Sequence, residues 1–192
     1  MLDYGFVIAG FGGQGILFAG KFLAYAGLLE GREVSWLPSY GPEMRGGTAN
    51  CNIVISDTPV GSPIVSRPNI LMAMNAPSLD KYENSVFIGG RVFVDSSLIS
   101  RRVVRDDVYG CYIPATKMAA EMGIEGLANM IIAGAIIKQT KCIKEETIAD
   151  ALHKVIPASK AHLFDANMQA VRAGLDYELK EESYGNDIRH DW

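Results

Sequence analysis

Two short stretches hold residue types that could handle a ligand. The first, Gly10-Phe11-Gly12-Gly13-Gln14-Gly15, follows the apolar run Phe6-Val7-Ile8-Ala9. Its glycines at 10, 12 and 15 fit G-x-G-x-x-G. In that pattern the first makes a tight turn, the second lets backbone approach a ligand, and the third packs the next helix on the strand. The amides at the start of that helix face the turn and favour an anion. The second stretch runs from Pro38 to Thr48 and contains Arg45 between Glu43 and the pair Gly46-Gly47. A guanidinium grips phosphate at two points, and the two glycines let backbone come close. Each stretch also has a plainer reading. The glycines serve only tight strand–helix packing, and Arg45 is solvated or paired with Glu43.

The surrounding elements decide where such residues sit. Apolar runs at 6–9, 34–37, 53–55, 70–74, 92–94 and 108–113 read as buried strands, and 86–88 reads as the partner of 92–94 across Gly89-Gly90-Arg91. Helices are expected from about Gln14 to Leu29, from Asn75 to Asn84, and over 115–122, 127–139, 145–155 and 161–180. Strand, glycine turn and helix open a doubly wound unit. The pattern predicts an α/β chain with a Rossmann-like, mostly parallel sheet, helices on both faces and a helical C-terminal part. Residues 1–180 are expected to form one domain and 181–192 a polar tail, in which Tyr184 and Trp192 could dock on a partner. The helices at 14–29 and 127–137 are apolar nearly all round, so either the domain or another chain buries them.

Composition narrows the function. At 192 residues, 48% of them hydrophobic, the chain can bury a full core. A net charge of -4 with no basic run gives no support for nucleic acid. The most apolar run, 127–137, contains Asn129 and is too short to span a bilayer. No charged leader precedes the first strand, so a soluble cytoplasmic protein without a signal peptide is expected. Cys51, Cys111 and Cys142 are far apart and make no C-x-x-C, which encodes neither disulfide framework, zinc site nor iron–sulfur cluster.

Reaction machinery is scarce. His153, His162 and His190 form no metal-ligand pattern, and Ser39, Ser56 and Ser78 lack a nucleophile elbow. Asp106-Asp107 and Glu181-Glu182 read as solvated charges, and Cys51 as a buried thiol beside the loop strand. One enzyme reading stays open, a free-standing NAD(P)-dependent oxidoreductase. Against it, the second strand should end in an acidic residue that holds the ribose. Here it ends in Pro38-Ser39-Tyr40, and Glu33 stands at its beginning.

Taken with the glycine cluster, the run Ser39-Tyr40-Gly41-Pro42-Glu43-Met44-Arg45-Gly46-Gly47-Thr48-Ala49-Asn50-Cys51 resembles the gamma subunit of 2-oxoacid:ferredoxin oxidoreductases. The late Asn167, Ala170 and Gly174 and the helix at 129–134 resemble it too, so the likeness covers nearly the whole chain. It implies an enzyme that converts a 2-oxoacid, CoA and oxidised ferredoxin to acyl-CoA, CO2 and reduced ferredoxin. Alpha and beta companions, with a ferredoxin-like delta subunit as an optional fourth, would carry thiamine diphosphate, Mg and iron–sulfur clusters. This chain would hold no catalytic residue and no metal. Gly10, Gly12, Gly13, Gln14, Gly15, Arg45, Gly46 and Gly47 would face CoA or a neighbouring subunit. The substrate is expected to be 2-oxoglutarate or a branched-chain 2-oxoacid ahead of pyruvate.

Overall fold

Strand β1, Asp3–Phe11, is the axis of the molecule: its alternate side chains feed two separate cores. The computed structural model describes residues 3–39, 48–179 and 181–183. After β1 come α1 (Ile16–Leu29), β2 (Glu33–Ser39), β3 (Thr48–Ser56), β4 (Ile70–Ala73), α2 (Ala76–Tyr82), β5 (Arg91–Asp95) and β6 (Tyr109–Ile113). Then follow α3 (Ala115–Glu121), α4 (Ala128–Thr140), α5 (Ile148–Val155), α6 (Phe164–Asp176) and β7 (Glu181–Ser183). One sheet has the order β2-β3-β1-β4-β5-β6-β7. The run β1-β4-β5-β6 is parallel, while β3 runs antiparallel to both β1 and β2, and β7 antiparallel to β6.

The period of two along the strands sorts the core. Phe6, Ile8, Ile53, Met72, Phe93 and Ile113 face the larger helical layer, which contains α1, α3, α4, α5 and α6. Val7, Ala9, Leu71, Ala73, Val92 and Val94 face the other way, onto Leu79 of α2 and the loops around it. The helix α4 is buried over residues 128–137 inside this chain. A partner is not what covers it; α6 does, at a backbone-to-backbone approach. A methyl at Gly134 would collide with the Val171 carbonyl oxygen, and one at Gly174 with that of Ile131. For α1 the answer is mixed: Phe22, Leu23 and Ala26 are buried, while Leu28 and Leu29 stay exposed.

Three local expectations need correction. Residues 86–88 form no strand; both edges of β5 are taken by β4 and β6, so a hairpin partner has no place to pair, and Phe87 and Ile88 are exposed. The last helix begins with a 3-10 turn at Ala158–Leu163 and stops at Asp176, with Tyr177 extended. The chain must straighten there to reach β6. The polar tail expected from residue 181 opens as the strand β7, which pairs with β6 through Tyr109↔Ser183, Gly110↔Glu182 and Cys111↔Glu181. Charged residues are compatible with that place, since an edge strand needs backbone pairing on one side only and charge on it discourages aggregation. Tyr184 and Trp192 lie outside the described residues.

Candidate functional site

Parallel strands β1 and β4 are neighbours, yet α1 leaves β1 onto one face and α2 leaves β4 onto the other. The crevice outside their carboxyl ends is therefore the topological switch point, where open α/β sheets bind ligands. The glycine cluster lies there. Gly10 and Phe11 end β1, Phe11, Gly12 and Gly13 are exposed at the rim, and Gly15 caps α1. Gly13 (φ +94°) and Gly15 (φ +70°) take the left-handed conformation that a side chain would strain. Gly10 has a different reason to be glycine: a Cβ there would lie 2.6 Å from Gln14 Oε1 and 2.7 Å from Ile16 Cδ1.

Two side chains hold this turn. Gln14 accepts a hydrogen bond from the Phe11 amide (2.6 Å) and donates to the Met74 carbonyl (3.0 Å), which ties the turn to the end of β4. From the helical layer, Asn129 Nδ2 of α4 donates to the Gly15 carbonyl (2.9 Å). Gln14 is thus committed to bracing the turn. The amides of the first turn of α1 have no preceding carbonyl to bond within the helix, and they point to the crevice with the positive end of the helix dipole.

The registers of β2 and β3 bring the two ends of the second stretch to the same rim. Thr48 pairs with Phe11, Ala49 with Gly10 and Asn50 with Ala9, while Ser39 of β2 pairs with Asn50. One end of the segment 40–47 therefore starts beside the glycine turn, and the other starts one strand further out on the same rim. Arg45, Gly46 and Gly47 themselves lie outside the described residues.

Across the crevice the structure adds residues that the sequence marked only as a helix start. Asn75 caps α2 by accepting from the Ser78 amide (2.8 Å), and Asn75 and Ser78 are both buried. Asn75 Nδ2 and Ser78 Oγ have no hydrogen-bond partner among the described residues. A buried polar atom left unpaired is costly, and such atoms concentrate where a ligand or water completes the set. The signal was available in principle: an Asn cap directly after a parallel strand, next to a glycine turn. Further along the same rim, a cavity of about 440 Å³ is lined by Ser96, Arg101, Arg102, Tyr112, Pro114 and Tyr177. There Arg101 is spent on Asp80 (2.6 Å) and Glu83 (2.8 Å), and Arg102 lies over the Tyr112 ring.

The sheet order bears on the dinucleotide reading. In the usual arrangement the second strand lies parallel beside the first and its last residue holds the ribose. Here that neighbour is the antiparallel β3, so its rim residues are its first ones, Thr48 and Ala49, and none is acidic. NAD and NADP are expected to bind with dissociation constants no tighter than about 1 mM, some 4 kcal/mol. Calorimetry on the chain checks this, and micromolar binding of either would restore the dehydrogenase reading.

Among the described residues no group of three or more His, Cys, Asp or Glu is placed to hold a metal ion. The cysteines are buried and separate. Burial pushes the Cys51 thiol up to about 12, against a smaller opposing effect of its bond to Trp36, and pushes Cys142 up to about 11. Buried neutral thiols are poor cluster ligands and poor nucleophiles. Both pKa values exceed that of an unfolded thiol, near about 8.5. The unfolded chain therefore releases these protons first as pH rises, and the stability they contribute is present below that value and lost towards pH 11–12. The expected result is no reaction of the native chain with a thiol reagent at pH 8 and full reaction of all three cysteines after denaturation. Fast labelling of the native chain would contradict it.

These features match known proteins along nearly the whole chain. The solved gamma subunit of a keto/oxoacid ferredoxin oxidoreductase from Geobacter sulfurreducens superimposes with a TM-score of 0.77 at 26% identity, covering 90% of this chain and 96% of that one. A 2-oxoglutarate:ferredoxin oxidoreductase from Magnetococcus marinus shares the fold, with a TM-score of 0.81 at 22% identity over 91% of this chain and 31% of that one. In sequence, the chain is 35% identical to the 2-oxoglutarate synthase subunit KorC of Methanocaldococcus jannaschii, covering 91% of this chain and 92% of KorC. It is 40% identical to the ketoisovalerate oxidoreductase subunit VorA of Methanothermobacter thermautotrophicus over 88% of this chain, but spans only 35% of VorA. Residues 5–177 match the model of the pyruvate ferredoxin/flavodoxin oxidoreductase family. The chain belongs to that family.

Proposed function

We propose that this chain is the gamma-type subunit of a cytoplasmic 2-oxoacid:ferredoxin oxidoreductase, and that its rim forms part of the CoA site. The observation that carries the reading is the glycine turn at the switch point of the sheet, with Thr48, one end of the segment 40–47, paired beside it with Phe11 and the other end, Ser39, one strand further along the same rim. CoA suits such a rim because it carries a diphosphate and a 3′-phosphate, the groups that helix amides and arginine hold best. The Magnetococcus enzyme was solved with 2-oxoglutarate, CoA and succinyl-CoA bound, which fits a family that uses this co-substrate. Thiamine diphosphate, Mg and the iron–sulfur clusters belong to alpha and beta companions, with a ferredoxin-like delta subunit where one is present. Membrane and nucleic acid play no part in this reading; no helix among the described residues is long and apolar enough to cross a bilayer.

In the complex, the companions' cofactors would supply the decarboxylation and electron-transfer chemistry. This chain orients CoA, neutralises its phosphates and helps keep water from the acyl group. The substrate is a branched-chain 2-oxoacid or 2-oxoglutarate ahead of pyruvate, following the relatives named for ketoisovalerate and 2-oxoglutarate. Reconstitution tests the assignment. Alpha and beta companions alone are expected to decarboxylate without forming acyl-CoA efficiently, and adding this chain restores CoA-dependent turnover. Full CoA-dependent turnover without it would overturn the proposal.

A further inference from the structure

The glycine turn is held from behind by a side chain more than a hundred residues away. Asn129 stands in the first turn of α4 and is 2% exposed. Its Nδ2 donates to the Gly15 carbonyl at 2.9 Å, the same oxygen that accepts the first helical bond of α1 from Ala19 at 3.0 Å. The contact is close enough that a methyl on Gly15 would run into the Asn129 amide. Asn129 Oδ1 has no hydrogen-bond partner among the described residues, so the group is not placed to serve the core. A buried amide whose oxygen is left unpaired is expensive for packing alone, and Leu or Met would fill the same space more cheaply.

The helix that carries Asn129 is itself fixed. Gly134 and Gly174 bring the backbones of α4 and α6 together, so α4 cannot slide without breaking that approach. A route of rigid contacts therefore runs from α6 through α4 and Asn129 to Gly15 and the start of α1. On the opposite side Gln14 ties the turn to Met74.

We infer that Asn129 is a positioning residue for the ligand rim: it fixes the Gly15 peptide, and with it the direction of the free amides at the start of α1. The ligand half of this inference rests on the CoA reading above. With Asn129 in place the turn is already in its binding conformation, and CoA need not order it; without it the turn samples other left-handed and extended states, and binding carries that cost.

The test uses the full chain and the assembled complex, in wild type and Asn129→Ala. Amide hydrogen exchange of the chain is expected to speed up about tenfold over residues 12–18 and to stay unchanged over 131–139. In the complex the Michaelis constant for CoA is expected to rise about threefold to tenfold, the range of one neutral hydrogen bond, with the turnover number at saturating CoA kept. Unchanged exchange at 12–18, or equal acceleration along all of α4, would show that the bond only packs the core and would overturn the inference. A turnover number that falls with unchanged affinity for CoA would do the same. If Asn129→Ala does not fold, Asn129→Ser keeps a small polar side chain too short to reach Gly15 and gives the same readings. Failure of the CoA reading is seen separately, as absence of any CoA protection at 12–18 in wild type; the exchange comparison then judges the positioning of the turn by itself.

Discussion

Gly174→Ala lowers the melting temperature of the isolated chain by roughly 10 °C. The added methyl collides with the Ile131 carbonyl oxygen and comes within 2.8 Å of the Ala135 amide nitrogen. Both are backbone atoms of α4, so no rotamer change makes room, and the helices must move apart. Separation loosens Ile131, Ala135, Ala170 and Val171, all fully buried. Overpacking of this kind costs about 3 kcal/mol or more, and in a chain of this size each kcal/mol shifts the midpoint by about 2–4 °C. Gly61→Ala is the control, because a methyl there meets nothing and the change should stay within about 1 kcal/mol. Calorimetry or circular dichroism gives the midpoints. A shift of less than about 2 °C for Gly174→Ala, below what the smallest overpacking cost produces, would mean that α4 and α6 do not approach as described.

Arg45→Ala raises the Michaelis constant for CoA of the reconstituted complex by about ten- to a hundredfold, the worth of a charged hydrogen bond of about 1.5–3 kcal/mol. Arg45 belongs to the segment whose ends, Ser39 and Thr48, stand at the rim beside Phe11 and Asn50. Arginine holds phosphate at two points, and glycines such as the following Gly46-Gly47 carry no side chain to keep a ligand from the backbone. Decarboxylation without CoA should change little, since that chemistry is assigned to the companions. If Arg45 instead ties the segment to Glu43 or to a companion chain, assembly loosens and every partial reaction falls together. Gel filtration beside both half-reactions separates the two, and unchanged CoA dependence in an intact complex rules the phosphate role out.

Much of this architecture can be read from residue order. The run Phe6–Ala9 with its glycines announces strand, turn and helix, and the turn lies at the switch point as the motif implies. The order of the strands is another matter. The apolar alternation of Ile53 and Ile55 is the same whether β3 runs with β1 or against it, so the antiparallel insertion that removes the ribose-binding position was invisible. The helix at 127–137, apolar nearly all round, left open whether the domain or a partner buries it. The answer depends on Gly134 meeting Val171 and Gly174 meeting Ile131, contacts between positions about 40 residues apart. Likewise Asn129 looked like a polar interruption of an apolar run. Only its bond to Gly15, fixed by the fold, gives it a role. Asn75 and Ser78 were legible as a helix start and no more, because local sequence marks where α2 begins but not which polar atoms stay unpaired.

The most direct test of the CoA assignment is amide hydrogen exchange of the assembled oxidoreductase with and without saturating CoA. Protection is predicted at residues 12–18 and across 40–48, with little change at the opposite end of the sheet around Asn69 and Phe87. Protection confined to the companion chains, with residues 12–18 unaffected, would contradict the account.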